Sequence, residues 1–450
     1  MKSQTSSRLS LCTFNNLPTD TPHSERSVPT TQARGTPAGP KLENRMLRKS
    51  HWHNMPRLAA GAVLVLTASC AWSQEGVQIY GRANVGLDRY DAPGATAGPA
   101  IHQTRVYDAI SRLGFRGTED LGGGYKALFQ LEAGVNFDTG GDRAQDGTVN
   151  PNVGFFLRDT FVGLEGPYGR VTAGRQSVYW QNGFIVPASN FYINADVPFF
   201  TGVSTGRLPL LISRVNNSVM YTTPSIAGAN ASFTISPTTT PGPGFVDSET
   251  VAPGAARDAR LYGATFRWQG APFAAQVDYA YKRTSSDAVA GLRPTGSGLK
   301  AMAGWRYTPG GQVSVIGVRV ALKDLAVPMA GFAGRGDDLS QFGWGIAWEH
   351  MITPNVQALA SAGVLQDARG CTSVVAGAAG RGCQNTGATS YMVAARYLLS
   401  KRTAVYASLN QVKNRANATL DYTGMALNAV PSLSPGADPR IIAIGVIHNF

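Results

Sequence analysis

The chain has 450 residues, which is enough for one large barrel or for more than one soluble domain. Charged residues make up only 15% of it, below the usual value of about 25%, and 52 glycines suit an all-β protein with tight turns or a lipid-facing surface. The mean hydropathy of −0.10 excludes a helical membrane protein. Residues 74–450 carry 31 Lys/Arg and 25 Asp/Glu, and this net charge of +6 is too small to indicate nucleic-acid binding.

The first 73 residues have the pattern of an extension followed by an export signal. Residues 1–45 are polar and lack periodicity, so we expect a disordered tail or an extension from a start codon assigned too early, with translation beginning at Met46 or Met55. Residues 46–73 then form a signal peptide, with a basic start, a short apolar run and cleavage after Ser73. Lipid attachment at Cys70 is the alternative, which Thr67 three residues earlier disfavours.

Beyond Ser73, segments of about ten residues alternate apolar and polar side chains. Residues 125–138 show this most clearly, because every odd position from Tyr125 to Phe137 is apolar whereas most even positions are polar. Side chains alternate between the two faces of a strand, so each such strand has one apolar and one polar face. No run of 18 apolar residues follows Ser73, and the repeated alternation is typical of a transmembrane β-barrel.

The residue types on the polar face of each strand distinguish a soluble β-sandwich from a β-barrel in a membrane. A barrel with its apolar face toward lipid and its polar face toward a watery lumen explains why Arg, Lys, Glu and Gly alternate with aromatic residues in strand after strand. Aromatic residues near strand ends fit the two interfacial girdles of such a barrel, with ordinary core packing as the alternative. These aromatic residues are Tyr90, Trp268, Trp305, Tyr307, Tyr391 and Tyr397.

We predict about sixteen antiparallel strands joined alternately by short turns and long loops. Short periplasmic turns and longer outer loops are characteristic of outer-membrane barrels. The turns include 166–169 and 308–311, and the long loops include 91–110 and 177–216. The predicted strands cover 77–90, 111–120, 125–138, 157–166, 169–176, 217–225, 229–236, 260–270, 273–284, 299–308, 312–323, 339–351, 355–368, 389–399, 402–413 and 440–450.

Several stretches of sequence resemble the general porins of Gram-negative bacteria, above all the β-proteobacterial and Neisserial group. They are SRLGFRGTEDLGGGYKALFQLE (111–132), RDTFVGLEGPYGRVTAGRQ (158–176), ARYLLSKRTAVYASLNQVKN (395–414) and the terminal GVIHNF. The resemblance covers residues 75–450. It implies a sixteen-stranded barrel, a homotrimer, in contact with outer-membrane lipid, lipopolysaccharide and the barrel assembly machinery. It also implies passive diffusion of small hydrophilic solutes and inorganic ions, without a cofactor.

In this family the third outer loop folds into the lumen and forms the constriction. Here that loop is 177–216, the longest connection, and it is unusually apolar for an exposed loop. Asp196 is its only carboxylate, and Arg207 and Arg214 are its basic residues. Family constrictions often set several acids against the wall, so this shortage of acid departs from the family pattern.

The barrel wall supplies further candidates for the constriction. Arg82, Arg112 and Arg116 lie on the lumen parity of the first two strands, and Arg175 lies where a strand runs into the long loop. A ring of arginines in a pore favours anions, so we expect anion preference. The alternative is that these arginines pair with carboxylates of the wall and hold it together, since alternation predicts a face but not a height along the pore. The candidate partners are Glu119, Glu132, Asp138 and Asp159.

The predicted last strand ends in Phe450, on the same lipid-facing parity as His448. This strand must pair with the first one, because otherwise both would expose unpaired backbone to lipid. In the resembling porins, a terminal Phe with an aromatic residue two positions earlier is the outer-membrane assembly signal. Those porins tend to have an arginine where Ile447 stands, so the match is incomplete.

Cys371 and Cys383 are the two cysteines after Ser73, and both lie in one glycine-rich stretch. Export places them in an oxidising compartment, so we expect a disulfide that closes a loop rather than two free thiols.

The sequence offers no set of residues for catalysis or metal binding. His102, His350 and His448 have no second His or Cys at ligand spacing, and neither GxSxG nor the phosphate-loop spacing occurs. We therefore predict a passive pore, not an enzyme, with no metal. A channel selective for one solute class, or a surface barrel that binds host or phage partners, are the alternatives.

Overall fold

The computed structural model describes residues 76–94, 100–109, 111–138, 140, 155–179, 214–237, 260–283, 295–324, 338–371, 383–421 and 433–450. The predicted extension and signal peptide, 1–73, lie outside these residues. Within the described ranges, no helix is both long and apolar enough to cross a membrane. The regular elements are β1 (Gln78–Ala92), β2 (Ile101–Asp108), β3 (Arg112–Gly122), β4 (Tyr125–Gly134), β5 (Thr160–Gly166), β6 (Gly169–Ser177), β7 (Arg214–Thr222), β8 (Ala229–Ser236), β9 (Arg260–Gly270), β10 (Phe273–Arg283), β11 (Thr295–Thr308), β12 (Gly311–Lys323), β13 (Leu339–Met351), β14 (Val356–Leu365), β15 (Ala388–Leu398), β16 (Thr403–Asn414) and β17 (Arg440–Asn449).

The strands form one antiparallel sheet that closes on itself. From β3 onward each strand pairs with the next one in the chain, and β17 pairs with β1 over the register from Arg82↔Asn449 to Asp91↔Arg440. Among the described strands, closure leaves no unpaired edge, so their backbones are hydrogen-bonded to neighbours around the ring. Such a sheet can stand in lipid, where an unpaired N–H or C=O is costly.

One position in this ring is shared by two strands. β2 pairs with the Val85–Ala92 half of β1, and β3 pairs with the Gln78–Arg82 half. The barrel therefore has sixteen strand positions, as predicted. The prediction of a loop over 91–110 is wrong for residues 101–108, which form β2. The sequence hides this strand because two of its outward positions carry the polar residues His102 and Thr104, so apolar and polar side chains do not alternate clearly there.

The connections define two ends of the barrel. Short connections such as 167–168 and 309–310 lie at one end, called here the turn end, together with the start of β1 and the end of β17. The long connections lie at the opposite loop end, and the longest runs from 178 to 213. Short turns at one end and long loops at the other agree with the sequence prediction.

The two faces of the sheet follow the predicted alternation on most strands. On β1, Ile79 and Leu87 are exposed on the outer surface, whereas Arg82, Asn84 and Asp88 are buried on the inner face. On the outer surface at the turn end, aromatic rings form a connected group. In this group the Trp348 indole N–H donates to the Tyr307 hydroxyl (2.7 Å), which lies 3.1 Å from His350 Nδ1.

Two details of the faces differ from the prediction. Tyr90 does not belong to a girdle, because it lies on the inward parity of β1 and its hydroxyl donates to Asp421 (2.9 Å). On β12 the inner residues from Ile316 to Leu322 are apolar and buried, whereas Arg319 and Lys323 point outward. These inner residues are Ile316, Val318, Val320 and Leu322. Since they are buried, this part of the inner wall is a packed surface and not a water-lined one.

Candidate functional site

Glu132 is the centre of a charged cluster on the inner wall. It is buried near the loop end of β4, and the Arg158 Nε donates to its Oε1. The guanidinium groups of Arg112 and Arg214 lie 3.7 and 3.8 Å from its carboxylate oxygens. The Tyr80 hydroxyl donates to Oε2 at 3.0 Å. One carboxylate thus positions three arginines from three separate parts of the chain.

Asp159 ties together the two ends of the longest connection. Its carboxylate accepts hydrogen bonds from the backbone N–H of Ser177 (2.7 Å) and from the Ser177 hydroxyl. The same carboxylate lies 3.2 Å from Nε of Arg214, the first residue of β7. The points where residues 178–213 leave and re-enter the sheet are therefore held next to the Glu132 cluster, by charge-assisted contacts that are stronger than neutral ones.

The four arginines that the sequence analysis assigned to the barrel wall lie in two regions of the structure. Arg82 and Arg112 face each other across β1 and β3 on the inner face, and Arg112 joins the Glu132 cluster. Arg175 donates to the Leu157 carbonyl (2.7 Å) and to the Asn216 side chain, next to Arg214. Arg116 lies apart toward the turn end, where its Nε donates to Gln78 (2.9 Å).

The balance of charge in this region is positive. Five arginines lie on this part of the inner wall and on the edge beside it, and the ion pairs of this group run to two carboxylates. The arginines are Arg82, Arg112, Arg158, Arg175 and Arg214, and the carboxylates are Glu132 and Asp159. The pairing that the sequence left open is therefore real for Glu132 and Asp159, and it coexists with an excess of cations. Guanidinium groups held in fixed positions suit carboxylates and phosphates.

The beginning of the longest connection turns into the barrel. Val178 packs with Val215 and Leu261, and the latter lies on the inner face of β9. The Tyr179 carbonyl accepts a hydrogen bond from Lys300 Nζ (3.1 Å), on the inner face of β11. Within two residues of leaving β6, the chain has thus reached strands several positions further around the ring. Residues 180–213 lie outside the described part, and with them Asp196 and Arg207.

Lys300 and Asp278 form a second inner site that the sequence prediction missed. Both are fully buried, with Nζ and Oδ2 3.0 Å apart. Asp278 also accepts hydrogen bonds from Thr265 (2.7 Å) and Gln276 (2.7 Å). Both residues lie on the inner faces of their strands, but no signal in the sequence showed that they meet Tyr179. Arg158 was missed although the predicted strand 157–166 contains it; β5 begins only at Thr160, and Arg158 lies in the loop before it.

The seam between the first and last strands ends at Phe450. Its backbone N–H donates to the Gly81 carbonyl (3.1 Å), and the Gly81 N–H donates to the Phe450 carbonyl (3.0 Å). The Phe450 ring lies over Gly81, since a Cβ at Gly81 would be 2.2 Å from ring atom Cζ. The His448 ring stacks 6.1 Å from that of Phe450, and both face outward as predicted.

Cys371 and Cys383 form a disulfide between β14 and β15, as predicted, with Cα atoms 5.5 Å apart. Thr386 fixes the segment that follows, since its hydroxyl donates to the Cys383 carbonyl (2.7 Å) and accepts from the Ala368 N–H (2.8 Å). The disulfide therefore closes a loop at the loop end of the barrel. In the described residues no group of three His, Cys, Asp or Glu side chains is placed to hold a metal ion.

Known proteins with a similar sequence agree with the family that the motifs suggest. A family model described as Gram-negative porin matches residues 60–417. An outer membrane porin protein of Bordetella pertussis is 33% identical over 189 residues, which are 38% of this chain and 45% of that protein. The major outer membrane protein P.IB of Neisseria gonorrhoeae is 28% identical over 182 residues, 39% of this chain and 47% of that protein. The chain spans about half the length of these curated relatives.

A solved structure has the same fold over most of this chain. The anion-selective porin from Comamonas acidovorans superposes with a TM-score of 0.62 and 22% identity, covering 83% of this chain and 99% of that one. At 22% identity, the similarity supports a shared barrel fold.

Proposed function

The chain belongs to the Gram-negative porin family, and we propose that it forms a channel through which small hydrophilic solutes and inorganic ions diffuse passively. As a porin it is an integral β-barrel of the bacterial outer membrane and not an enzyme. The observation that carries the proposal is a closed sheet with an apolar outer surface and charged residues on its inner wall. Such a sheet satisfies its backbone in lipid and can surround a polar path.

Single-channel recording in planar bilayers tests the channel. Large ohmic conductance steps at high salt are expected. Small steps that one solute blocks would instead favour the solute-selective channel, and a folded barrel without any steps would refute a pore and leave the surface receptor.

The pore prefers anions, and the excess of arginine over carboxylate around Glu132 supports this preference. Arg82, Arg112, Arg175 and Arg214 belong to this cation-rich region. Arg116 is a further cation of the inner wall and lies closer to the turn end. Cations that line a pore attract anions and repel cations of the salt. The similar Comamonas porin is described as anion-selective, and the same property is proposed here.

A salt gradient separates this preference from its opposite. In a KCl gradient the reversal potential is expected to have the sign of chloride permeation, increasing as the ionic strength is lowered, because salt screens the wall charges. A reversal potential with the sign of potassium permeation would overturn the anion preference while leaving the channel itself intact.

The segment 178–213 narrows the lumen, with Asp196 and Arg207 as its charged residues. Support comes from its two anchored ends: Tyr179 lies against the inner wall at Lys300, and Arg214 is held at Asp159. Val178 and Tyr179, the first residues of the segment, are buried inside the ring. Deleting part of this segment is expected to raise the single-channel conductance, and an unchanged conductance would count against a constriction.

The remaining partners follow from the porin family. The barrel acts as a homotrimer in contact with outer-membrane lipid and lipopolysaccharide, and the barrel assembly machinery recognises its last strand through His448 and Phe450. The outward position of both rings supports this recognition. Cross-linking in intact membranes would test the trimer, and a cross-linked ladder that stops at the monomer would contradict it.

A further inference from the structure

The longest connection begins with two residues, Val178 and Tyr179, which are called here the root. The root leaves β6, yet the Tyr179 carbonyl accepts a hydrogen bond from Lys300 Nζ (3.1 Å) on the inner face of β11. In the ring, β7 to β10 lie between these two strands. The root is therefore held by a strand far around the ring from the one that it leaves.

The backbone of Tyr179 has a conformation that few residues adopt. Its φ is 50°, in the left-handed region, where a bulky side chain is uncommon. The residue is 1% exposed, and its ring centroid lies 6.0 Å from Lys300 Nζ. The buried cluster that contains Tyr179 also contains Ala280 and Met302, which lie on the inner faces of β10 and β11. Such a conformation persists only where its surroundings hold it, and here the inner wall does so.

Asp278 fixes the direction of the Lys300 side chain. The two residues are direct partners across β10 and β11, and Nζ lies 3.0 Å from Oδ2. Thr265, the partner of Asp278 on β9, donates to Oδ1 (2.7 Å), and Gln276 donates to Oδ2 (2.7 Å). The carboxylate is thus fixed by three neighbouring strands, and it holds the ammonium group beside the Tyr179 carbonyl.

Asp278 and Lys300 form an ion pair in a fully buried position, with both residues 0% exposed. Removing two charges from water offsets much of their attraction, and apolar residues of similar volume often stabilise a fold equally well. The neighbouring inner residues Ala280 and Met302 are such apolar residues. An ammonium group adds what an apolar side chain lacks, which is an N–H donor for the carbonyl of the root. This donor gives the buried pair a role beyond joining β10 to β11.

We propose that Lys300, oriented by Asp278, is a positioning residue for the constriction, because its hydrogen bond keeps the root on the inner wall and so fixes where the segment 178–213 enters the lumen. The inference rests on the proposed narrowing of the lumen by that segment. Lys300 acts through the chain that it holds and not as a charge in the path of ions, since the pair is buried and carries no net charge. Without this hydrogen bond the chain stays tied at Asp159, and only the root comes away from the wall.

A cysteine beside the root measures whether the root stays on the wall. Ala280 is fully buried in the same cluster as Tyr179, so the thiol of A280C should react slowly with methyl methanethiosulfonate added to the full chain in detergent or vesicles. In K300M the donor to the root is absent, and in D278N the ammonium group loses the carboxylate that directs it. A hydrogen bond from a charged donor shifts an equilibrium by about 10- to 100-fold. K300M/A280C and D278N/A280C are therefore expected to react at least about 10-fold faster than A280C.

A second cysteine controls for entry of the reagent into the lumen. Thr118 is exposed on the same face of β3 as Arg116, near the turn end. T118C should react at one rate whether it is combined with K300M, with D278N or with neither, because Thr118 lies far from the root along the chain and around the ring.

Single-channel recording separates a positioning role from a role of charge. K300M removes a cation and D278N removes an anion, so effects of charge on the reversal potential in a KCl gradient would have opposite signs. Release of the root is the same event in both variants. Both are therefore expected to show an open-channel current that fluctuates between several conductance levels where the wild type has one. K126M, at an exposed lysine on the same face of β4 as Glu132, makes the same substitution away from the root and should keep a steady current.

The double variant K300M/D278N keeps the test valid if an unpaired buried charge prevents folding, since it removes both charges at once. Methionine has no N–H to donate to the Tyr179 carbonyl, so the double variant should also release the root, with the reversal potential of the wild type. Electrophoresis of unheated and boiled samples shows whether each variant is a folded barrel.

An unchanged reaction rate of A280C in the folded double variant would overturn the proposal. A faster A280C with a steady, single-level current would also overturn it, since the root would then be free without any effect on the path of ions. Reversal potentials that shift in opposite directions with steady currents would show that Lys300 and Asp278 act as pore charges instead. The reaction of A280C needs no ion flow, so a barrel without conductance steps would refute the proposed channel while the cysteine still decides whether Lys300 holds the root.

Discussion

Gly81 and Phe450 provide a quantitative test of how the barrel closes. A methyl group at Gly81 would meet the Phe450 ring at 2.2 and 2.5 Å and the Arg112 carbonyl oxygen of the neighbouring strand at 2.8 Å. All three distances are too short, so G81A must displace the ring, the strand or both. Overpacking of this kind typically costs about 1–3 kcal/mol. We expect G81A to lower the free energy of unfolding by that amount.

G317A is a matched control on the same outward surface. The nearest atoms to a Cβ at Gly317 belong to the Phe342 ring at 3.7 and 3.8 Å, which is ordinary contact. Since Gly in a strand interior is less favourable than Ala by roughly 0.5–1 kcal/mol, G317A should be neutral or stabilising. The two glycine-to-alanine changes should therefore differ by about 1–4 kcal/mol.

Urea unfolding in lipid vesicles, followed by tryptophan fluorescence, measures these free energies. A double-mutant cycle with F450A separates the ring from the Arg112 carbonyl: if the ring is the main obstacle, G81A should cost less in the F450A background, with a coupling of about 0.5–3 kcal/mol. Equal stability of G81A and G317A would refute the closure geometry. Zero coupling would refute the role of the ring and leave the strand carbonyl as the obstacle.

Four further predictions concern the wall, the loop end and assembly. R112Q should shift the permeability ratio toward potassium about 7-fold, since one charge roughly 7 Å away in water attracts an anion and repels a cation by about 0.6 kcal/mol each, whereas the outward R319Q should not. E132A removes the shared partner of three arginines and should cost at least about 3 kcal/mol, whereas the same change at the exposed Glu165 should cost little; similar losses would contradict the cluster. Non-reducing mass spectrometry should find the peptides of Cys371 and Cys383 linked, and an alkylated Cys371 would contradict this. Deletion of Phe450 should reduce the amount of folded barrel in the outer membrane, and normal insertion would count against the assembly signal.

The alternation of apolar and polar residues was sufficient for the architecture. Because side chains on a strand alternate strictly between two faces, the sequence predicted the sixteen strand positions, the outward face of Leu87 and the inward face of Arg82. It also predicted the pairing of the last strand with the first, since a membrane tolerates no open edge. The prediction from alternation failed at β2, where apolar and polar residues alternate only weakly. It also failed along β12, where the odd and the even positions both carry many apolar or small residues.

The charged site depends on contacts between distant parts of the chain, which the alternation of apolar and polar residues does not predict. Glu132, Arg158 and Arg214 come together from β4, a loop and the start of β7, so their meeting depends on the register between strands and on the path of the connections. The same holds for Lys300 with Tyr179 and for Asp91 with Arg440, which are far apart in the chain. Sequence alone determined which side chains face lipid and which face the lumen, because the face of a side chain follows from its odd or even position within its own strand. The height and the neighbours of each charge were decided only by the closed barrel, because they follow from how the strands are staggered around it.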